Sequence, residues 1–298
     1  MRSKGRRVGD GGRRRCVAFT SAVAALGAAA LLGPVASASA APVNDDFGDA
    51  IAVRVGSSVK GNVNGATRQR REPQHAESLA RRSVWYRFHA RRRATVVLGT
   101  CKSTFDSVVA VYSGRRLASL RVVDFNNDGC GSIGAGSRVS FTARRGRTYR
   151  IAVAGFNPHG RFTLTVRKIN APPNDDFVDA VPITLGSTIS GTTRNATREL
   201  HEPRHGDETA DLTVWFRMTV ATARRVELNT CGSGFDTVLA VYTGRRVDGL
   251  TPVVSNDDSC GLSSRVRFDA VPGVTYRIAV AEFGGHESGG FRLSAVRL

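Results

Sequence analysis

CKSTFDSVVAVYSGRR, residues 101–116, returns as CGSGFDTVLAVYTGRR, residues 231–246. Each stretch leads from a cysteine through a polar turn into a short apolar run and stops at Gly-Arg-Arg. A Val-rich run of this length, bounded by turn residues, reads as a strand buried on both faces. Working outward, NDDFGDA (44–50) matches NDDFVDA (174–180), and SVWYRF (83–88) matches TVWFRM (213–218). All are displaced by 130 residues; after the second cysteine the register slips by three, so TYRIAVA at Thr148 recurs at Thr275. The chain is one unit written twice, over residues 44–169 and 174–298, joined by the linker NAPP.

Within each unit apolar residues alternate with period two, and Gly, Asn, Asp or Pro interrupts them every 8 to 12 residues or so. Val84, Tyr86, Phe88, Val109, Val111, Val139, Phe141, Ile151, Val153, Phe162 and Leu164 mark the inward positions of copy one. No stretch has the pattern of a three-turn amphipathic helix. The expectation is all-β: eight or nine strands per copy, packed as two antiparallel sheets in a jelly-roll-like sandwich. Trp85 and Trp215 sit inside strands and are expected as core anchors, a ligand-stacking role being the alternative.

The first forty residues differ from the rest. A basic start, MRSKGRRVGDGGRRR, precedes an Ala/Leu-rich run and the small residues Ala38-Ser39-Ala40, the layout of a cleavable export signal. Paired arginines leave the general and twin-arginine export routes both open, and Cys16 falls within the segment to be discarded. Four cysteines then remain, and an even count in an exported chain reads as disulfides. The repeat pairs them as Cys101 with Cys130 and Cys231 with Cys260, one bridge per copy. No later segment is apolar enough to suggest a membrane-spanning helix.

With these residues in hand, the chain resembles a tandem of bacterial pre-peptidase C-terminal domains. The resemblance is carried by the opening NDDF, the VWYRF and VWFRM strands, the FD-[ST]-V-x-A-V-Y strand, the loops NNDGC and NDDSC, and TYRIAVA. It covers nearly all of both copies. It implies jelly-roll modules that are not themselves catalytic and that usually accompany a secreted enzyme. Here no enzyme domain accompanies them, which favours a free-standing binding protein.

One motif argues otherwise. His201-Glu202-Pro203-Arg204-His205 matches H-E-x-x-H, in which two histidines one helical turn apart hold zinc and the glutamate activates water. Pro203 is hostile to the continuous helix this geometry needs. The first copy has Arg71-Glu72-Pro73-Gln74-His75, so the shared motif is E-P-x-H, with a local role expected for Glu and the second His. No G-x-S-x-G elbow, unpaired mature cysteine or phosphate-cradling glycine loop is present. The chain is expected not to be an enzyme; a hydrolase with an unrecognised site, or an accessory or inhibitory partner of a secreted peptidase, are the alternatives.

Two further sets of residues stand out. Some domains resembling this family bind calcium between the N-terminal acidic segment and a nearby acidic loop. The matching positions are Asp175, Asp176, Glu202, Asp207 and Glu208; the alternative is that such side chains cap turns. The second set is basic. After the leader the chain holds 36 Lys/Arg and 24 Asp/Glu, but residues 44–170 carry 23 against 8 and residues 171–298 carry 13 against 16. Much of the excess falls at expected turns: Arg91-Arg92-Arg93 against Ala221-Thr222-Ala223, and Arg144-Arg145-Gly146-Arg147 against Val271-Pro272-Gly273-Val274. Arg91, Arg92, Arg93, Arg144, Arg145 and Arg147 are therefore an expected patch for an anionic ligand, with solvated charge as the alternative. No aromatic residues interleave with them as a single-strand nucleic-acid groove requires. The expected partner is an extracellular or cell-envelope polymer or protein.

Overall fold

The computed structural model describes residues 40–77, 80, 82–130, 136–156, 159–206, 210, 212–284 and 288–298. The leader expectation, Cys16 included, lies outside them, as do Asp207 and Glu208. No helix among the described residues is long and apolar enough to cross a membrane. Both copies belong to one compact unit, residues 39–298.

Copy one, here module one, contains β1 (Ile51–Val53), β2 (Ser58–Asn62), β3 (Arg82–His89), β4 (Ala94–Gly99), β5 (Ser107–Ser113), β6 (Arg121–Asn126), β7 (Arg138–Ala143), β8 (Thr148–Gly155) and β9 (Arg161–Ile169). They form a five-stranded sheet of order β1-β3-β8-β5-β6 and a four-stranded sheet of order β2-β9-β4-β7. Module two repeats this with β10 (Val181–Pro182), β11 (Thr188–Thr192), β12 (Val214–Met218), β13 (Arg224–Asn229), β14 (Thr237–Thr243), β15 (Thr251–Asn256), β16 (Arg265–Ala270), β17 (Tyr276–Glu282) and β18 (Gly290–Arg297). Its sheets have orders β10-β12-β17-β14-β15 and β11-β18-β13-β16. Among the described residues the pairing departs from antiparallel at one edge of each five-stranded sheet: β1 runs parallel to β3, with Ile51 opposite Tyr86, and β10 runs parallel to β12.

The core between the sheets is filled by the expected inward residues. Val84, Tyr86 and Phe88 of β3 meet Val109 and Val111 of β5, Ile151 and Val153 of β8, and Phe162 and Leu164 of β9 in one buried cluster. Gly61 permits the tight approach of β2, because a Cβ there would come within 2.5 Å of the Phe162 ring. Each module closes its own disulfide, Cys101–Cys130 and Cys231–Cys260, both with a sequence separation of 29. Closing loops of this length contributes roughly 3 to 4 kcal/mol when the bridge is counted as lost freedom of the unfolded chain.

The tryptophans are buried, but on the other face of the sheet. Alternation along β3 points Trp85 away from Val84 and Tyr86, and it packs with Phe47, Ala50, Ala110, Tyr112 and Ala152 in a second small core. Trp215 does the same with Phe177, Ala180, Ala240, Tyr242 and Ala279. This explains why β5 and β14 are apolar at consecutive positions: one face lines the sandwich interior and the other lies beneath a covering loop. NDDF is the lid of that second layer. The Asn44 amide donates to Trp85 O at 2.9 Å while Trp85 N donates to Asn44 O at 2.8 Å. The Phe47 ring stands edge-on to the Trp85 ring at 5.2 Å, with the Arg150 guanidinium 4.4 Å above Phe47.

Candidate functional site

The E-P-x-H motif closes the same second layer from the other side. Arg71 and His201, the residues before the glutamates, have φ of 69° and 63°, so the chain turns through the left-handed region where a zinc-binding helix would have to continue. His201 is exposed, whereas Glu202 and His205 are 2% and 0% exposed. His205 Nδ1 pairs with Tyr242 OH at 2.8 Å, and its Nε2 pairs with Glu202 Oε1 at 3.0 Å and with Thr213 Oγ1 at 3.2 Å. Glu202 Oε2 accepts the Glu199 amide at 2.9 Å. Module one has the same arrangement: His75 between Tyr112 and Glu72, each at 2.8 Å, with Ser83 Oγ donating to Glu72 and the Gln69 amide completing the carboxylate. Burial and then the Glu72 charge push the Tyr112 phenol up. It therefore stays protonated and donates to Nδ1, leaving Nε2–H for the carboxylate. Burial pushes the Glu72 carboxyl up, but the hydrogen bonds from His75, Ser83 and the Gln69 amide hold it below its ordinary value. A histidine, a carboxylate and a hydroxyl thus stand together in both modules, sealed from solvent. They tie the covering loop to the sheet and offer no surface to a substrate.

The three described calcium candidates have protein partners. Asp175 accepts the Thr197 amide at 2.6 Å and the Thr197 hydroxyl at 3.0 Å, capping the turn that precedes E-P-x-H. Asp45 does the same for Thr67, at 2.7 and 2.8 Å. Glu202 serves His205, as above. Asp176 accepts from Thr142 Oγ1 at 2.9 Å and from Arg93 at 2.9 Å. Among the described residues no group of three or more His, Cys, Asp or Glu is arranged to hold a metal ion. These are the hydrogen bonds of the turn-capping alternative, extended at Asp176 into a contact between modules.

The arginine-bearing turns converge. Ala90 N donates to Arg147 O at 2.9 Å and Gly146 N to Ala90 O at 2.8 Å, joining the β3–β4 turn to the β7–β8 turn at one end of module one. Arg91, Arg92, Arg144, Arg145 and Arg147 are exposed there. Arg93 is the exception within the expected patch. Its guanidinium binds Asp176 and Asp179 in the opening turn of module two, and the Asp179 hydrogen bond is the main cause of its raised pKa. Arg93 is thus an inter-module strut and not a free ligand contact.

Beside that strut lies a cleft of about 960 Å³ between the modules. Module one supplies Arg115, Asp124, Arg144, Arg147 and Arg150; module two supplies Asp176, Val178, Arg198, Glu199 and Leu200. Sequence reasoning singled out Arg144 and Arg147 for an anionic ligand and Asp176 for calcium, but not the others, because Asp124 and Glu199 have no distinguishing motif and meet only through the packing of two modules. A signal was present at one of them: Glu199 stands where module one has Gln69, in a position that accepts the Phe177 amide at 2.5 Å as Gln69 accepts that of Phe47 at 2.7 Å. Burial, then the neighbouring Asp176, Glu202 and Asp175 charges, push the Glu199 carboxyl up to about 8. Burial likewise pushes Asp124 up to about 7.

The chain is therefore a tandem of disulfide-bonded β-sandwich modules with an arginine-rich cleft between them. No family model matches it, and no curated protein matches it. Solved structures similar to it include the pre-peptidase C-terminal domain of a collagenase from Bacillus anthracis, 20% identical over 39% of this chain and 93% of that one, with a TM-score of 0.28. The CBM32-1 and CBM32-2 domains of Clostridium perfringens ZmpB are 8% identical over 80% of this chain and 91% of that one, with a TM-score of 0.23. The CBM22-1–CBM22-2 tandem of Paenibacillus barcinonensis Xyn10C is 10% identical over 81% and 90%, with a TM-score of 0.23. The sandwich assignment stands on the chain's own sheets.

Proposed function

We propose that this is an exported, non-catalytic binding protein that holds an anionic extracellular polymer on the arginine-bearing end of module one. The observation that carries the reading is the hydrogen-bonded pairing of two turns that gathers Arg91, Arg92, Arg144, Arg145 and Arg147, where module two has Ala, Thr, Val, Pro and Val. A frame that accepts both versions does not need these arginines to fold. Clustered guanidinium groups attract polyanions through a screened field and grip carboxylate or sulfate in a bidentate fashion. Two disulfides support an oxidising compartment. The test is retention of the whole chain on immobilised dextran sulfate and polygalacturonate at low salt. Wild type is expected to bind and elute as salt rises; R91A/R92T/R144V/R145P/R147V is expected to flow through. Equal behaviour of the two proteins, or no retention of wild type, removes the reading.

A further inference from the structure

The cleft differs from the exposed turns in composition. Its described wall holds five arginines, Arg115, Arg144, Arg147, Arg150 and Arg198, and three carboxyl groups, Asp124, Asp176 and Glu199. Asp176 is paired with Arg93, which it shares with Asp179, and accepts a hydrogen bond from Thr142. Arg150 is occupied with the Phe47 ring, and Arg198 reaches the Glu202 carbonyl at 2.8 Å. Between the charges lie hydroxyls, Ser113, Ser140, Thr142, Thr148 and Thr197, and the apolar side chains of Val178 and Leu200. The aromatic rings in the wall, Phe141 and Tyr149, are 5% exposed each. They give a nucleic-acid base no platform on which to stack.

We propose that the cleft is a composite site, built by both modules, for a short carboxylate-bearing oligosaccharide of the uronic-acid class; this rests on the binding reading above. Guanidinium groups on the module-one wall meet the uronate carboxylates, for which Arg has the matching fork. The carboxyls of Asp124 and Glu199 and the surrounding hydroxyls meet sugar hydroxyls, which donate and accept. Val178, 66% exposed, offers an apolar contact for a ring face. A uniformly charged chain such as a nucleic-acid backbone or an acidic peptide fits this wall less well, since it has no hydroxyl-rich face to set against the two carboxyls. Burial that disfavours their ionised forms also leaves the cleft more positive near neutrality than its residue count suggests. The volume lies within the range of ordinary small-ligand sites, roughly 300 to 1,000 Å³.

The repeat provides the control. Val178 has Gly48 as its counterpart in module one, an exposed position with open space around it. Affinity of the whole chain for tetragalacturonate is measured by calorimetry for wild type, V178E, G48E, R115S/R144V/R147V and R91A/R92T/R145P. V178E and the R115S triple variant are expected to weaken binding by about tenfold or more, as a like charge or lost cation at a contact does; G48E stays near wild type. Wild-type affinity in V178E overturns the composite site. Loss confined to R91A/R92T/R145P does so too, while leaving the polyanion reading intact on the exposed turns. Preference for sulfated dextran fragments over tetragalacturonate removes the uronate class. Failure of wild type to bind the polymers of either column removes both readings.

Discussion

The two modules share a frame down to single hydrogen bonds and differ almost wholly at their ends. Strand order, the disulfide, the NDDF lid and the buried Glu–His–Tyr chain recur position for position. The turns do not: Arg144, Arg145 and Arg147 face Val271, Pro272 and Val274, and Asp124 on β6 corresponds to Val254 on β15. The difference separates residues that specify the fold, which both modules must keep, from residues free to specialise. Glu199 is the informative intermediate, since it occupies a frame position that Gln69 fills without charge.

The comparison breaks most sharply at the buried histidines. His75→Ala in module one and His205→Ala in module two each leave a carboxylate buried without its partner, and about 3 to 5 kcal/mol of local stability is expected to go. Peptide-resolved hydrogen exchange reads the modules separately. Equal losses, each confined to the mutated module, support a duplicated structural role; an unaffected module would mean that its histidine is not part of the frame. Next in size is the disulfide. Cys101→Ser with Cys130→Ser is expected to cost module one roughly 3 to 4 kcal/mol, with module two protected as before.

A third prediction sets Glu199 against Gln69. The folded pKa of Glu199, about 8, lies above its ordinary 4.5. Its protonated form thus contributes stability that is fully present below 4.5 and is lost as pH rises through about 8. Asp175, pushed by burial to about 7, acts in the same direction. Melting curves of wild type and Glu199→Gln should nearly coincide at pH 4 and separate by pH 9, the variant being the more stable. Parallel curves across that range would show that Glu199 titrates normally. Smallest of all is Arg93→Ala: the arginine is half exposed, its side chain 54% accessible, and its ion pairs are worth at most about 1 kcal/mol. A larger loss would mean that the inter-module contact supports the fold of either module.

The sandwich was legible because a duplicated sequence states its own register: paired cysteines, period-two alternation and the inward residues from Val84 to Leu164 all take the places their spacing predicts. E-P-x-H was legible as a local motif, since comparison of the copies stripped away His201. Its partners were not: Tyr112 and Tyr242 each lie 37 residues beyond their histidines, and Ser83 and Thr213, though only 11 and 8 residues from Glu72 and His205, reach them only once the loop folds back onto the sheet. The side on which Trp85 lies follows from alternation with Val84 and Tyr86, yet period two alone does not reveal that the outer face of a sheet will be roofed by a loop. Arg91 to Arg93 read as one cluster. The strand-end geometry splits them, turning Arg93 toward Asp176 and Asp179 and leaving its two neighbours in solvent.

That strut also governs whether copies of this chain can string together. Module one carries, in its own opening turn, the exposed Asp46 and Asp49 that correspond to Asp176 and Asp179. A following molecule would thus find an acceptor ready, but the donor end of module two has Ala223 where module one has Arg93. A head-to-tail contact that does not close on itself propagates into filaments when both halves are present on every copy. Here module two lacks that donor half: Ala223 stands in the place of Arg93, and Asp269 in the place of Thr142. Ala223→Arg together with Asp269→Thr, which replaces the counterpart of the Thr142 that donates to Asp176, is expected to restore it, with growth of light scattering with protein concentration, suppressed by salt, as the sign.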